Sequence, residues 1–254
     1  MKSISLQKIR KRILAQPEKY LNIKKQRGMT LLEIIIVLGI IGTIAAGVVI
    51  LAQRAFDTKA ITDLATNANS VRVAMKDAYG PTGEYPSENN TATAAIKNSA
   101  DLTKSGVATP IGKLAALGKI SADEALNSIS SNYINIGAGK IGGKGSAGYY
   151  IVLNGLSKSQ CRGLLNQVAN QWDYVSVSAA EQPAGTYAAT GNIDLGAAVG
   201  GLAVDADGKY VDGSATPDGI YRSLDSAGDI LLTPDAIVGM CHDNNGNAII
   251  LGSR

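Results

Sequence analysis

Residues 34–52 form nineteen consecutive uncharged positions, IIIVLGIIGTIAAGVVILA, and residues 29–32 carry the apolar character upstream past a single acid, Glu33. A helix of that length crosses the hydrocarbon core of a bilayer. The alternative is a buried core helix, but a soluble domain of ordinary size rarely needs one that is apolar on every face. After Ala52 the pattern becomes one-sided. Phe56, Ala60, Ile61, Leu64, Ala68, Val71, Met75 and Ala78 recur at steps of mostly three or four, with Arg54, Asp57, Lys59, Asp63, Asn67, Arg72 and Lys76 among them. This stripe predicts one helix face packed on a globular head. No proline interrupts residues 29–79, so the pattern predicts a single helix about 75 Å long at 1.5 Å per residue, two separate helices being the alternative. Tyr79-Gly80-Pro81-Thr82-Gly83 ends it.

Residues 80–254 read as the head. Residues 84–108 are polar and small and predict a surface loop, and 110–117 predict a short helix. Ser121 and Glu124 have capping-box spacing and predict a helix through Ile129, while the glycine-rich residues 135–148 predict a loop. Residues 149–153 predict a strand. A second capping box, Ser157 and Gln160, opens a helix over 157–170 that buries Cys161, Leu164, Leu165 and Val168. Further strands are predicted around Trp172 to Val177 and over 220–224, 230–232 and 247–251, with a brief helix after Pro234. Together these elements predict an α+β head with an antiparallel sheet.

Composition narrows the picture. The chain is 45% hydrophobic and 18% charged, which excludes a disordered chain, and its 5% aromatic content argues against a large aromatic core. The formal charge of +3 conceals a split. Residues 1–28 hold nine Lys or Arg against Glu18, a net of +8, and residues 29–254 hold 15 basic and 20 acidic residues, a net of −5. Lys24, Lys25 and Arg27 before the apolar run place residues 1–28 in the cytoplasm and the remainder outside. The basic residues are not clustered on the folded part, so no nucleic-acid partner is expected.

Two features of the apolar segment point to chemistry. The junction Arg27-Gly28-Met29 precedes the apolar run, whereas a signal-peptidase site follows a short apolar core. Glu33 is the other: a lone carboxylate inside a membrane segment is costly and marks a functional site, unless it lies among the headgroups. Gly39, Gly42 and Gly47 allow close helix approach, but their spacing makes no GxxxG motif. Cys161 and Cys241 are the only thiols. Outside the cytoplasm a disulfide is their expected state, two free cysteines being the alternative. His242 is the only histidine, and no Ser-His-acid set or paired-histidine motif exists. Asp205-Ala206-Asp207-Gly208 resembles a calcium loop but lacks its spacing, so turns account for it better. The glycines of 137–148 are not followed by Lys-Ser/Thr and a helix, as a phosphate loop requires. No enzyme activity, cofactor or metal is expected.

The stretch Arg27-Gly28-Met29-Thr30-Leu31-Leu32-Glu33-Ile34-Ile35-Ile36-Val37-Leu38-Gly39-Ile40 resembles the class III signal sequence of type IV prepilins. The long leader and Met29 resemble the type IVb branch. Ala52-Gln53-Arg54-Ala55-Phe56, Ser121-Ala122-Asp123-Glu124-Ala125 and Asn154-Gly155-Leu156-Ser157 resemble the longus-type colonisation-fibre pilins of enterotoxigenic Escherichia coli and, more distantly, toxin-coregulated pilin. The resemblance implies the type IV pilin fold, and a cytoplasmic-side cut by prepilin peptidase between Gly28 and Met29 that removes residues 1–28. It also implies N-methylation of Met29, docking through Glu33, and a Cys161–Cys241 disulfide delimiting residues 161–241. Residues 29–52 would serve as membrane anchor and then fibre core, with 53–79 packed on the head. The implied localisation is the inner membrane and afterwards an extracellular pilus. The implied partners are further copies of the subunit, an assembly ATPase with its platform, an outer-membrane secretin, minor pilins, and a host-cell surface or secreted factor. A minor pilin, a type II secretion pseudopilin or a membrane-anchored binding module are the alternatives.

Overall fold

The computed structural model describes residues 29–104, 108–178, 187, 193–207, 209–225, 230–243 and 246–254. The leader, Gly28 included, lies outside them. The chain divides into two units between Ala52 and Gln53, and one uninterrupted helix, α1 (Leu31–Tyr79), supplies residues to both.

In the first unit, every large apolar side chain from Leu31 to Leu51 is between 43% and 76% exposed. An eighteen-residue window of α1 reaches a mean hydropathy of 3.0 with none of it buried. The segment has the length and composition to cross a membrane. A core helix of a soluble domain would be buried.

In the second unit, α1 buries Ile61, Leu64, Ala65, Ala68, Val71, Ala74 and Met75 along one face, as the stripe predicts. Phe56, which the stripe includes, is instead 71% exposed. At the end of α1 the Gly80 N–H closes on the Lys76 carbonyl at 2.9 Å, where a Cβ would lie 2.3 Å from that oxygen, and Gly83 takes φ +67°.

The head follows in the order α2 (Asn90–Ala95), α3 (Ser99–Lys104), α4 (Pro110–Ala116), β1 (Leu126–Asn127), β2 (Asn132–Tyr133), β3 (Asn135–Ile141), β4 (Lys144–Leu156), α5 (Lys158–Val168), β5 (Tyr174–Ser178), β6 (Ile193–Asp194), β7 (Gly219–Arg222), α6 (Pro234–Met240) and β8 (Asn247–Ser253). A single 3₁₀ turn, Ala169–Gln171, follows α5. β1 and β2 form a small ribbon, and the main sheet has the order β6-β3-β4-β8-β5-β7, antiparallel except for the parallel β3–β6 pair. Both sheet faces are buried, with period-two alternation. Tyr149, Ile151, Leu153, Val175, Val177, Ile249 and Leu251 join the core shared with α1 and α5. Tyr150, Val152, Tyr174, Ala248 and Ile250 form a second, smaller core with Tyr187 and Leu195.

Four local expectations are corrected. Residues 135–148 are a β-hairpin rather than a loop, because Gly142 and Gly143 adopt φ +56° and +87°, the left-handed pair that closes a two-residue turn with the twist of the strands. The remaining glycines make room: a Cβ on Gly139, Gly148 or Gly252, from three neighbouring strands, would lie 2.5–2.7 Å from the side chain of Leu195. Ser121 and Glu124 form their reciprocal bonds, the Ser121 N–H donating to Glu124 at 2.8 Å and the Glu124 N–H to Ser121 Oγ at 3.3 Å, yet no helix propagates. The Asn67 amide occupies the Asp123 and Leu126 carbonyls, both at 2.9 Å, and Asn127 Oδ1 accepts from the Ile129 and Ser130 N–H groups. The segment therefore ends in a turn and the β1–β2 ribbon. Residues 84–104 are organised as α2 and α3 around buried Tyr85, Ile96 and Leu102, residues 105–107 of the expected loop lying outside the described residues, and 230–232 form no strand.

The aromatic core is larger than composition suggests. Trp172, Tyr149, Tyr150 and Tyr221 are fully buried, and Tyr85, Tyr149 and Trp172 stack in series at centroid separations of 4.9 and 6.3 Å. Arg72 caps the series 5.3 Å from the Trp172 ring. Tyrosine serves here because its hydroxyl finds an acceptor: Tyr149 donates to the Arg72 carbonyl at 3.1 Å, Tyr187 to the Tyr133 carbonyl at 2.7 Å and Tyr150 to Glu88 at 2.5 Å. Burial raises the Tyr149, Tyr150 and Tyr187 hydroxyls far above the ordinary phenol range.

Candidate functional site: the N-terminal segment of α1

The start of α1 is built by a threonine. Thr30 precedes the helix, its carbonyl accepts the Ile34 N–H at 3.2 Å, and its Oγ1 accepts the Glu33 N–H at 3.2 Å. It is a side-chain N-cap with an acid three residues later. Glu33 thus occupies the first turn, where the positive end of the helix dipole favours a carboxylate. Sequence reading missed Thr30, although its Thr-x-x-Glu spacing is the signal used for Ser121 and Ser157.

Glu33 is exposed and, among the described residues, has no ion-pair partner. Met29, 70% exposed, lies just before the cap. Thr43, the hydroxyl within the apolar run, donates back to the Ile40 carbonyl at 2.9 Å. A Cβ on Gly39, Gly42 or Gly47 would meet nothing within 4 Å, so packing within the protomer does not require these glycines. The segment presents one carboxylate near a helix start, followed by an apolar surface that its own chain leaves uncovered. Such a surface can insert into lipid or pack against other helices.

At the other end of the chain, Cys161 in α5 and Cys241 at the end of α6 are joined by a disulfide with S–S 2.01 Å and Cα–Cα 6.1 Å. Both are buried. Lys158 pairs with Asp243, two residues past Cys241, at 2.5 Å, and Arg162 donates to the Val238 carbonyl of α6, so α5 is also tied to the chain on either side of Cys241. The capping box of Ser157 and Gln160 forms, and α5 buries the four residues its pattern predicts.

The remaining candidates lie in the head. His242 is exposed, and its backbone is held by Asn247 through bonds of 2.8 and 3.0 Å. Asp205 Oδ1 accepts from the Asp207 and Lys209 N–H groups at 3.0 and 2.8 Å, which closes a turn. Among the described residues no group of three or more His, Cys, Asp or Glu side chains could hold a metal.

Residues 23–49 match the prokaryotic N-terminal methylation motif. The chain is 39% identical over 154 residues, 61% of its length, to a toxin coregulated pilin of Vibrio cholerae, and 39% identical over 152 residues, 60% of its length, to the toxin coregulated pilin of Vibrio cholerae serotype O1. It spans 63% and 62% of the length of these curated relatives. The crystal structure of TcpA, a type IV pilin from Vibrio cholerae El Tor biotype, superposes with a TM-score of 0.52 at 22% identity, covering 77% of this chain and 99% of that one. The fold is the type IV pilin fold, a long N-terminal helix with an α+β, sheet-containing head.

Proposed function

We propose that the chain is a type IVb prepilin, the precursor of the major subunit of an extracellular pilus fibre. Prepilin peptidase cuts between Gly28 and Met29, residues 1–28 are removed, and Met29 is N-methylated. Residues 29–52 hold the subunit in the inner membrane until the assembly ATPase, its platform and the minor pilins add it to the growing fibre. The fibre leaves through a secretin and serves bacterial adhesion, aggregation and host colonisation. The nearer affinity to longus-type pilins belongs to this proposal and rests on the segments 52–56, 121–125 and 154–157.

The observation that carries the reading is the methylation motif over residues 23–49, whose residues 31–49 begin a helix with an apolar first half that its own protomer leaves exposed. A carboxylate in that environment is tolerated when a cation meets it. The amine created at Met29 by cleavage supplies such a cation on the neighbouring subunit. Glu33→Ala is expected to abolish fibres on the cell surface while the subunit stays membrane-inserted with its disulfide formed. Fibres at wild-type yield from this variant would contradict docking through Glu33.

A further inference from the structure

Four aromatic rings run in series through the head. From the fully buried Trp172 the neighbours are Tyr149, Tyr85 and Tyr79, at successive centroid separations of 6.3, 4.9 and 6.3 Å. Trp172 is the only tryptophan in the chain. Tyr79, the last residue of α1, is half-buried. The series therefore leads from the centre of the core to the protein surface.

Two features decide what happens to an oxidised Trp172. An indole that has lost an electron ordinarily settles by giving its N–H proton to a neighbour, but among the described residues nothing accepts from the buried Trp172 Nε1. The Arg72 guanidinium, 5.3 Å from the ring centre, favours the neutral, electron-rich indole and opposes a positive charge there. An electron from the adjacent ring relieves both. Tyrosine gives up an electron readily when its phenolic proton has somewhere to go, and Tyr149 has such a path. Ser253 is its cross-strand partner and stands beside its hydroxyl, and Ser253 Oγ donates to the Asp173 carboxylate at 2.6 Å.

We propose that Trp172, Tyr149, Tyr85 and Tyr79 form a relay that moves one-electron oxidation out of the core. A one-electron oxidant of the radical or high-valent metal class takes an electron from Trp172 and is itself reduced. Tyr149 returns an electron to the indole as its phenolic proton moves to Ser253 Oγ and the Ser253 proton moves to the Asp173 carboxylate. Tyr79 then supplies an electron to Tyr149 across the Tyr85 ring, both protons return, and Tyr79 releases its own proton to water. The sum is one electron to the oxidant and one proton to solvent, with a tyrosyl radical left at Tyr79. The packed tryptophan is spared. The relay needs a folded head and no second subunit, so it goes beyond the polymer reading and does not depend on it.

The test uses the full chain solubilised in detergent, with a ruthenium(III) polypyridyl oxidant generated by light and persulfate in air. Peptide mass spectrometry of the wild type is expected to show oxidation at Tyr79 and an unmodified Trp172. Tyr149→Phe keeps the ring and removes the oxidisable hydroxyl, so oxygenated Trp172 should appear at the expense of Tyr79. Trp172 oxygenated to the same extent in both proteins would overturn the relay. Flash oxidation of the wild type gives a second measurement that does not rely on the variant folding: the indole radical absorption should decay as a tyrosyl absorption rises. That conversion should slow in deuterium oxide and in Asp173→Asn. An indole radical that decays with no tyrosyl signal, or at a rate indifferent to both changes, would also overturn the relay.

Discussion

The two halves of α1 share a secondary structure and differ in what makes it favourable. Residues 53–79 are helical because one face is filled by the head: Leu64, Ala68, Val71 and Met75 are fully buried. The outward threonines Thr58, Thr62 and Thr66 donate back to the carbonyls of Arg54, Thr58 and Thr62 at 2.9 to 3.0 Å. Residues 31–51 have no such partner within the protomer, and their side chains stand exposed all round. Covering a large apolar side chain is worth about 1.5–3 kcal/mol. For the first half that free energy comes only from outside the subunit, from lipid or from other helices. The contrast assigns folding stability to one half and leaves the other to be covered from outside the subunit.

The comparison can be broken at four places, in order of expected effect. Replacing both Cys161 and Cys241 with Ser opens a closure of 80 positions and should cost about 4.5 kcal/mol of head stability in the chain-entropy account, measured by denaturant unfolding of the detergent-solubilised subunit. Leu64→Ala should cost about 2–5 kcal/mol, whereas Ile44→Ala should leave head unfolding unchanged within about 0.5 kcal/mol. Equal losses from the two would erase the contrast. Gly148→Ala should cost about 1–3 kcal/mol by crowding Leu195. Adding Leu195→Ala should then give a double variant less destabilised than the sum, the coupling expected of residues in contact.

The smallest effect is expected at the turn that follows α4. Hydrogen bonds from Ser121 hold the Glu124 carboxyl below the ordinary carboxylate range. A carboxyl depressed on folding stabilises the protein above its unfolded pKa and loses that contribution as pH falls through the folded value. Ser121→Ala should therefore cost about 0.5–1 kcal/mol at neutral pH, and the difference from wild type should shrink in acid, where only the bond from the Glu124 N–H to the hydroxyl remains to be lost. A difference that does not change with pH would mean that the hydroxyl's bond to the carboxylate contributes nothing.

Much of this was legible in the residues. The apolar run, the one-sided stripe after Ala52, the α5 capping box and the cysteine pair each carry a local signal. The hairpin at 135–148 was hidden because its glycines answer to Leu195, more than forty positions away in sequence. The aborted helix after Ser121 was hidden for a related reason: its carbonyls are claimed by Asn67 from α1. Phe56 follows the helical period yet lies exposed, since periodicity marks a face without showing where its cover begins. At the candidate site, Glu33 stood out as an isolated charge, while Thr30 was masked by the apolar residues around it.

The central claim is that the exposed half of α1 is the mature N-terminus of a fibre subunit. Mass spectrometry of material sheared from the cell surface tests it most directly. The account predicts an N-terminal peptide that begins at Met29 and is one methyl group heavier than the unmodified sequence, with Cys161 and Cys241 disulfide-linked. A surface protein that begins at any other residue, or retains residues 1–28, would contradict it.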